Sequence, residues 1–339
     1  MLRTLQARSE HWPLAAPFRI SRGVKTAADV VAVDIGHDGQ IGRGEAVPYA
    51  RYGETIESVL AQIEEVADGV RGGMTRGDLL KALPAGAARN AIDCALWDLE
   101  AKLSGRSVAE LLGEPEPRPI AMALTIGLDE PEAMGRVAAG MNDAGLIKVK
   151  VDARQPEACL RAVRANAPHS RLIVDPNEGW TFELLRDIQP VLQELDVSLV
   201  EQPLPAADDH QLAGFSPAIP ICADESCHVA ADLPELAGRY QVVNIKLDKT
   251  GGLTEALELL DAARKQGFGV MVGCMVSSSR SIAPALLLAA HADFVDLDGP
   301  LWLKADHEGG VRLEDGLLTP PAAGFWGTPC PRAMTAPSL

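Results

Sequence analysis

At 339 residues and 47% apolar content, the chain holds enough material for a sizeable core, as two ordinary domains or as one barrel with an attachment. Acidic side chains outnumber basic ones by 47 to 31, and the formal net charge of −16 disfavours a nucleic-acid backbone or an anionic membrane surface as partner, which leaves small-molecule chemistry. No run of about 18 apolar residues could span a bilayer and the first residues lack a signal peptide's apolar stretch, so the expected compartment is the cytoplasm.

The first hundred residues read as an α+β module. VVAVDI, a turn at Asp38-Gly39 and IGRGEAV form an expected β-hairpin. GAARNAIDCALWDLEAKLSG then places Ile92, Ala95, Leu96 and Leu99 on one helical face, with Gly105 as the stop. The polar, proline-rich EPEPRP at 114–119 marks a boundary. Beyond it come short apolar runs of strand length: AMALTIG, IKVKV, LIVDPN, LVEQPL, ICADES, VVNIKLD, GVMVGCM and FVDLDGP, separated by amphipathic stretches such as LTEALELLDAARKQG. The predicted fold is α/β, a (β/α)7β barrel over 116–310. An open doubly wound sheet is the rival. A last hairpin around Asp315-Gly316 suggests that the tail 311–339 returns to the first module, so that a cap is built from 1–115 and the tail.

The barrel runs end in charge. Lys150, Asp175, Glu201, Asp224 and Lys246 follow one another at 22 to 26 residues, the pitch of a strand-helix unit, and strand C-termini are where such folds keep their chemistry. Lys148 and Lys150, two apart on one strand, point the same way. Asp175, Glu201 and Asp224 converge from neighbouring strands as three hard oxygen ligands, which suits Mg²⁺; bare, they would repel one another and one would take a proton. Strands two and six are opposite in an eight-membered ring, so Lys150 and Lys246 face each other. Two amines on opposite faces of one carbon remove a proton from one side and return it on the other. The metal would hold the substrate carboxylate and the enediolate charge, Lys148 would add a second cation, and these charges would favour Lys150 as a base.

Three signals carry no chemistry in this reading. Lys249-Thr250-Gly251 is taken as the turn into the sixth helix. The six cysteines (Cys94, Cys159, Cys222, Cys227, Cys274, Cys330) lack zinc-type spacing and read as reduced, mostly core thiols, with no metal assigned to them. His228, just after the fifth strand, has no evident partner.

The KxK on the second strand, carboxylates on the third to fifth and lysine on the sixth resemble the muconate-lactonizing branch of the enolase superfamily, over nearly the whole chain. Asp296 and Asp298 in FVDLDGP are similar to the DxD with which dipeptide epimerases hold the substrate's free α-ammonium, and two carboxylates without a further metal do want a cation. PAGAARNAIDCALWDLEAK, ADESCH and NIKLDKTGGLTEAL look particularly like bacterial L-Ala-D/L-Glu epimerases, which act on a cell-wall-derived dipeptide. The resemblance implies Mg²⁺, a small-molecule dipeptide partner, and an arginine in the first cap loop for the glutamate carboxylate. Arg22 in PFRISRGVKT matches it, with Arg19 or Lys25 able to share the role and Arg51 a weaker candidate. Cys274 and Met275 stand where mandelate-racemase-like members carry a base histidine, which disfavours acid-sugar dehydration; both are candidate substrate contacts, and Ser277 to Ser279 could add others. Ala123 and Thr125 share a face of the first strand, where some members contact substrate through a threonine, and neither is assigned a role. Relatives are often dimers or octamers, but the sequence holds no interface signal. The alternatives are o-succinylbenzoate synthesis or N-acylamino-acid racemisation on the same scaffold, or a catalytically silent barrel binding a metal and a carboxylate.

Overall fold

The computed structural model describes residues 2–329. Cys330 and the last part of the expected tail lie outside the described residues. The hairpin is there, within a three-stranded antiparallel sheet of β1 (Thr4–Ile20), β2 (Gly23–His37) and β3 (Gln40–Ala46). Sequence reading missed β1 because its positions are half-buried or exposed throughout and prolines interrupt it, so no apolar run announces it. Its pairing with β2 shifts register between Pro13 and Phe18.

Helices α1 (Ile56–Glu65), α2 (Ala67–Arg71), α3 (Arg76–Ala82), α4 (Ala87–Ser104) and α5 (Val108–Leu112) follow. The predicted long helix is α4, stopped by Gly105 in the left-handed region at φ 69°. Its Ile92, Ala95, Leu96 and Leu99 pack with Val31, Val33 and Ile35 of β2, while Cys94, Trp97 and Ala101 belong to the barrel's core. One helix therefore serves two cores. β3 lies so close to it that a β-carbon on Gly44 would overlap the carbonyl oxygen of Ala91. Gly44→Ala is expected to destabilise the protein by about 3 kcal/mol, read from the shift of its urea unfolding midpoint.

After β4 (Ile120–Ala121) come β5 (Leu124–Ile126), β6 (Leu146–Lys150), β7 (Arg171–Asp175), β8 (Val197–Glu201), β9 (Ile221–Ala223), β10 (Val242–Ile245), β11 (Gly269–Gly273) and β12 (Phe294–Asp296). β5 to β12 form one parallel eight-stranded sheet in sequence order. The amide of Ala123 donates to the carbonyl of Val295 at 2.7 Å, which closes the sheet into a barrel. An open sheet is thereby excluded. The crossovers carry α6 (Pro131–Ala139), α7 (Pro156–Asn166), α8 (Phe182–Glu194), a 3-10 turn at Ala206–Leu212, α9 (Leu233–Leu236), α10 (Leu247–Thr250) with α11 (Leu253–Lys265), and α12 (Ser279–Ala289). Among the described residues no α-helix follows β12, where the eighth crossover position holds the 3-10 turn Gly299–Trp302, so the architecture is (β/α)7β.

The last hairpin, β13 (Arg312–Glu314) and β14 (Leu317–Thr319), turns at Asp315-Gly316 as expected but pairs with β4 at the foot of the barrel, not with the cap sheet. The chain beyond it does reach α4: Trp326 Nε1 donates to the carbonyl of Cys94 and the Gly327 amide to Asp98 Oδ1. Among the described residues, no helix is long and apolar enough to cross a membrane.

Candidate active site

The site follows from the two-residue period of a strand. Ala123, Leu146, Ile173, Leu199, Cys222, Val242, Met271 and Phe294 form a closed apolar cluster, one residue from each barrel strand or the position before it. Two residues further on, the same inward direction is taken by Thr125, Lys148, Asp175, Glu201, Asp224, Asn244, Gly273 and Asp296. The barrel thus changes from hydrocarbon to charge in a single layer. The next step along three of the strands brings Lys150, Lys246 and Asp298.

Within the charged layer every acid meets an amine. Lys148 Nζ lies 2.7 Å from Asp296 Oδ2, 2.6 Å from Glu201 Oε2 and 3.0 Å from Asp175 Oδ2. Burial opposes its charge, but these three carboxylates outweigh burial and hold its ammonium well protonated. Lys150 Nζ donates to Asp175 Oδ2 at 2.5 Å, and Lys246 Nζ to Asp224 Oδ2 at 2.6 Å. Burial works against the ionised forms of Asp175 and Asp224 too, yet the paired lysines keep both well below the usual carboxylate range. Lys246 is held protonated, Asp224 and Glu201 prevailing over its burial.

Glu201 is the least satisfied member. Burial, with Asp175 beside it, pushes its carboxyl up to about 7, and its Oε2 accepts no hydrogen bond despite the nearby ammonium. Asn244 donates to Oε1 at 2.8 Å. An all-oxygen set of three buried carboxylates with an unpartnered oxygen fits the Mg²⁺ expected from the sequence. Their oxygens gather around ammonium groups, and the one trio of acidic, His or Cys donor atoms within 4.8 Å of one another among the described residues is Glu10, Glu45 and His307. Two of that trio are otherwise engaged: Arg8 lies 2.7 Å from Glu10, and Ser278 and Ser281 bond Glu45.

Above the layer is a cavity of about 510 Å³ whose wall includes Lys148, Lys150, Lys246, Asp224, Asp296 and Asp298. Asp175 and Glu201 lie beneath, in contact with the Lys148 ammonium. Asp298 accepts from the Thr125 amide at 2.9 Å and from Trp302 Nε1 at 3.2 Å; burial and neighbouring Asp296 push it up to about 6. Oδ1 of Asp296 has no partner. Cys274 and Met275 also line the cavity, with Cys274 buried enough to push its thiol well up. The serines after them do not: Ser278 bonds Glu45 of β3 and so fastens cap to barrel, and Ser279 bonds Asp306 in the segment after β12.

Arg22 reaches the cavity already paired. Its guanidinium meets Glu225 Oε1 at 2.7 Å and Glu178 Oε2 at 3.2 Å, the carbonyl of Asn177 at 2.8 Å and the hydroxyl of Tyr49 at 3.1 Å. Arg51 grips Glu178 with two bonds of 2.8 Å. Lys25 sits over the Tyr49 ring on the same wall, and Arg19 lines a neighbouring cavity. His228 packs edge-on against Tyr52 outside this cavity. Sequence reasoning missed Glu225, Glu178, Asn244, Tyr49 and Tyr52. Asn244 was within reach, being two residues before Lys246; the others depend on loop paths.

The comparisons with known proteins agree with this geometry. Residues 2–113 match the mandelate racemase / muconate lactonizing enzyme N-terminal domain, and residues 132–325 the enolase C-terminal domain-like family. The chain is 48% identical over 319 residues to the L-Ala-D/L-Glu epimerase of Escherichia coli (strain K12), covering 94% of this chain and 99% of that protein. It is 49% identical over 288 residues to an N-acetyl-D-glutamate racemase from Pseudoalteromonas sp, covering 84% and 91%. Among solved structures, an enolase family member from Agrobacterium tumefaciens with homology to dipeptide epimerases, with bound sodium and L-Ala-L-Glu, superposes with a TM-score of 0.94 at 48% identity, covering 96% of this chain and 100% of that one. The chain belongs to the enolase superfamily, within its mandelate racemase / muconate lactonizing enzyme group.

Proposed function

We propose that this protein is a Mg²⁺-dependent dipeptide epimerase that inverts the glutamate α-carbon of L-Ala-D/L-Glu by a two-lysine 1,1-proton transfer. The observation that carries this is the pairing of Lys150 and Lys246, from strands four places apart, on the wall of one cavity, above a carboxylate layer and beside an under-neutralised Asp296/Asp298 pair. Asp175, Glu201 and Asp224 would hold the ion, which when bound supplies a Lewis acid for the substrate carboxylate and its enediolate. One lysine takes the α-proton and the other returns a proton to the opposite face. Lys148 keeps a positive charge under the enediolate. Asp296 and Asp298 bind the α-ammonium, while Cys274 and Met275 bound the pocket. The cap of 1–115, which Trp326 and Gly327 of the tail reach at α4, closes over the barrel of 116–310, and the enzyme works in the cytoplasm on a cell-wall-derived dipeptide.

Arg22 would bind the glutamate side chain by exchanging Glu225 for the substrate carboxylate. Arg22→Met is expected to raise KM for L-Ala-D-Glu about 30-fold or more, with kcat nearly unchanged and an apolar dipeptide such as L-Ala-L-Leu unaffected; steady-state kinetics on both substrates check it.

The test of the whole reading is ¹H NMR of L-Ala-D-Glu and L-Ala-L-Glu with the protein and Mg²⁺ in D₂O. Loss of the glutamate α-proton with appearance of the other diastereomer supports it; unchanged spectra overturn it. The racemase of N-acetyl-D-glutamate at 49% identity favours one second reading, racemisation of an N-acylglutamate through the same lysines.

A further inference from the structure

The Lys249-Thr250-Gly251 turn contains a residue that turning does not require. The side chain of Lys249 is fully buried, and each of its three N–H bonds has an acceptor: Asp224 Oδ1 at 2.7 Å, the Asp224 carbonyl at 2.5 Å and the Asn244 carbonyl at 2.8 Å. Burying an ammonium is costly unless all its bonds are met, so its place in this turn calls for a reason beyond the turn. The other oxygen of the same carboxylate, Oδ2, rests against Lys246. Asp224 is thus spanned by two ammonium groups, of which Lys246 lines the cavity above the charged layer and Lys249 does not. Its backbone is fixed as well, because the Asp224 amide donates to Gln202 Oε1 at 2.8 Å.

We propose that Lys249 is a positioning residue for the proposed reaction. It clamps Oδ1 of Asp224 and thereby presents Oδ2 alone to the cavity, as the oxygen that meets the metal and beside which Lys246 stands. The inference rests on the reading of Asp224 as a metal ligand but not on the identity of the substrate. The aspartate and Lys246 then keep their places by separate bonds.

Removing Lys249 has two opposed effects on a divalent ion. Loss of a buried positive charge beside Asp224 strengthens metal binding, whereas loss of the clamp lets the carboxylate turn both oxygens toward Lys246 and weakens it. The sign of the change therefore separates a mere counter-charge from a positioning residue.

Metal-free wild-type protein and Lys249→Met should be titrated with Mn²⁺ and free Mn²⁺ followed by electron paramagnetic resonance. The expected result is a dissociation constant raised about tenfold or more in a variant that still unfolds cooperatively. Equal or tighter binding overturns the clamp, and wild-type protein that binds no Mn²⁺ overturns the metal reading and the clamp with it. If the variant does not fold, a crystal structure of the wild type grown with Mg²⁺ decides. Lys249 Nζ should remain on Asp224 Oδ1 with the ion on Oδ2; an ion held by both oxygens, or a displaced Lys249, overturns it. Neither readout uses the dipeptide, so failure of the substrate assignment appears separately, in the NMR experiment.

Discussion

Lys246→Ala should lose epimerisation of L-Ala-D/L-Glu by about 10³-fold or more while still exchanging the α-proton of one diastereomer with solvent. The argument is geometric. Lys150 and Lys246 come from strands β6 and β10, four places apart in the closed sheet, and both amines line the same cavity. A substrate carbon between them has one amine on each face, so deleting one leaves the other able to remove and restore a proton on its own side. On the two-base reading inversion needs both. The remainder of the site should survive the deletion, because Asp224 loses only its Oδ2 contact and keeps Lys249 on Oδ1. Solvent deuterium wash-in followed by NMR from each pure diastereomer reads the result. Exchange from one isomer without interconversion supports the two-base reading, loss of both would mean that Lys246 does more than return a proton, and full epimerase activity would sink it.

Much of this site was legible in the sequence because strand periodicity is strict. Once one inward position on each strand is known, the next lies two residues on, and Lys148, Asp175, Glu201, Asp224 and Asp296 follow from the apolar positions before them. The same rule would have yielded Asn244, which carries no charge to draw attention. What failed was whatever depends on loop path. Arg22 was found, but not that Glu225 and Glu178 already hold its guanidinium, because a segment after β1 meets loops after β7 and β9 only in the folded chain. Spacing along the chain places Lys249 in a turn and does not show that its side chain folds back onto Asp224. Likewise α4 displayed one apolar face, and its second buried face, with Trp97 and Cys94, is plain only when the barrel lies against it.

Replacing both Asp296 and Asp298 with Asn is expected to lower kcat/KM for L-Ala-D-Glu by about 10³-fold and to leave racemisation of N-acetyl-D-glutamate, whatever its level, within a few-fold of wild type. The two carboxylates are short of positive charge: Lys148 meets Asp296 Oδ2, Oδ1 of that residue has no partner, and Asp298 is pushed up to about 6 by burial and by Asp296. A free α-ammonium supplies the missing cation; an acetyl group does not. Asparagine retains an oxygen for Lys148, for the Thr125 amide and for Trp302, so the local hydrogen bonds persist and the change falls on charge. The pH dependence has a defined sign. Protonation of Asp298 below about pH 6 removes a negative charge from the proposed ammonium site, so KM for the dipeptide should rise as pH falls through that value, and the rise should vanish in the double variant. Steady-state kinetics on both substrates between pH 5 and pH 8 would settle the matter. If the wild type prefers N-acetyl-D-glutamate and the double variant keeps full activity on the dipeptide, the ammonium subsite is wrong and the N-acylglutamate reading takes its place.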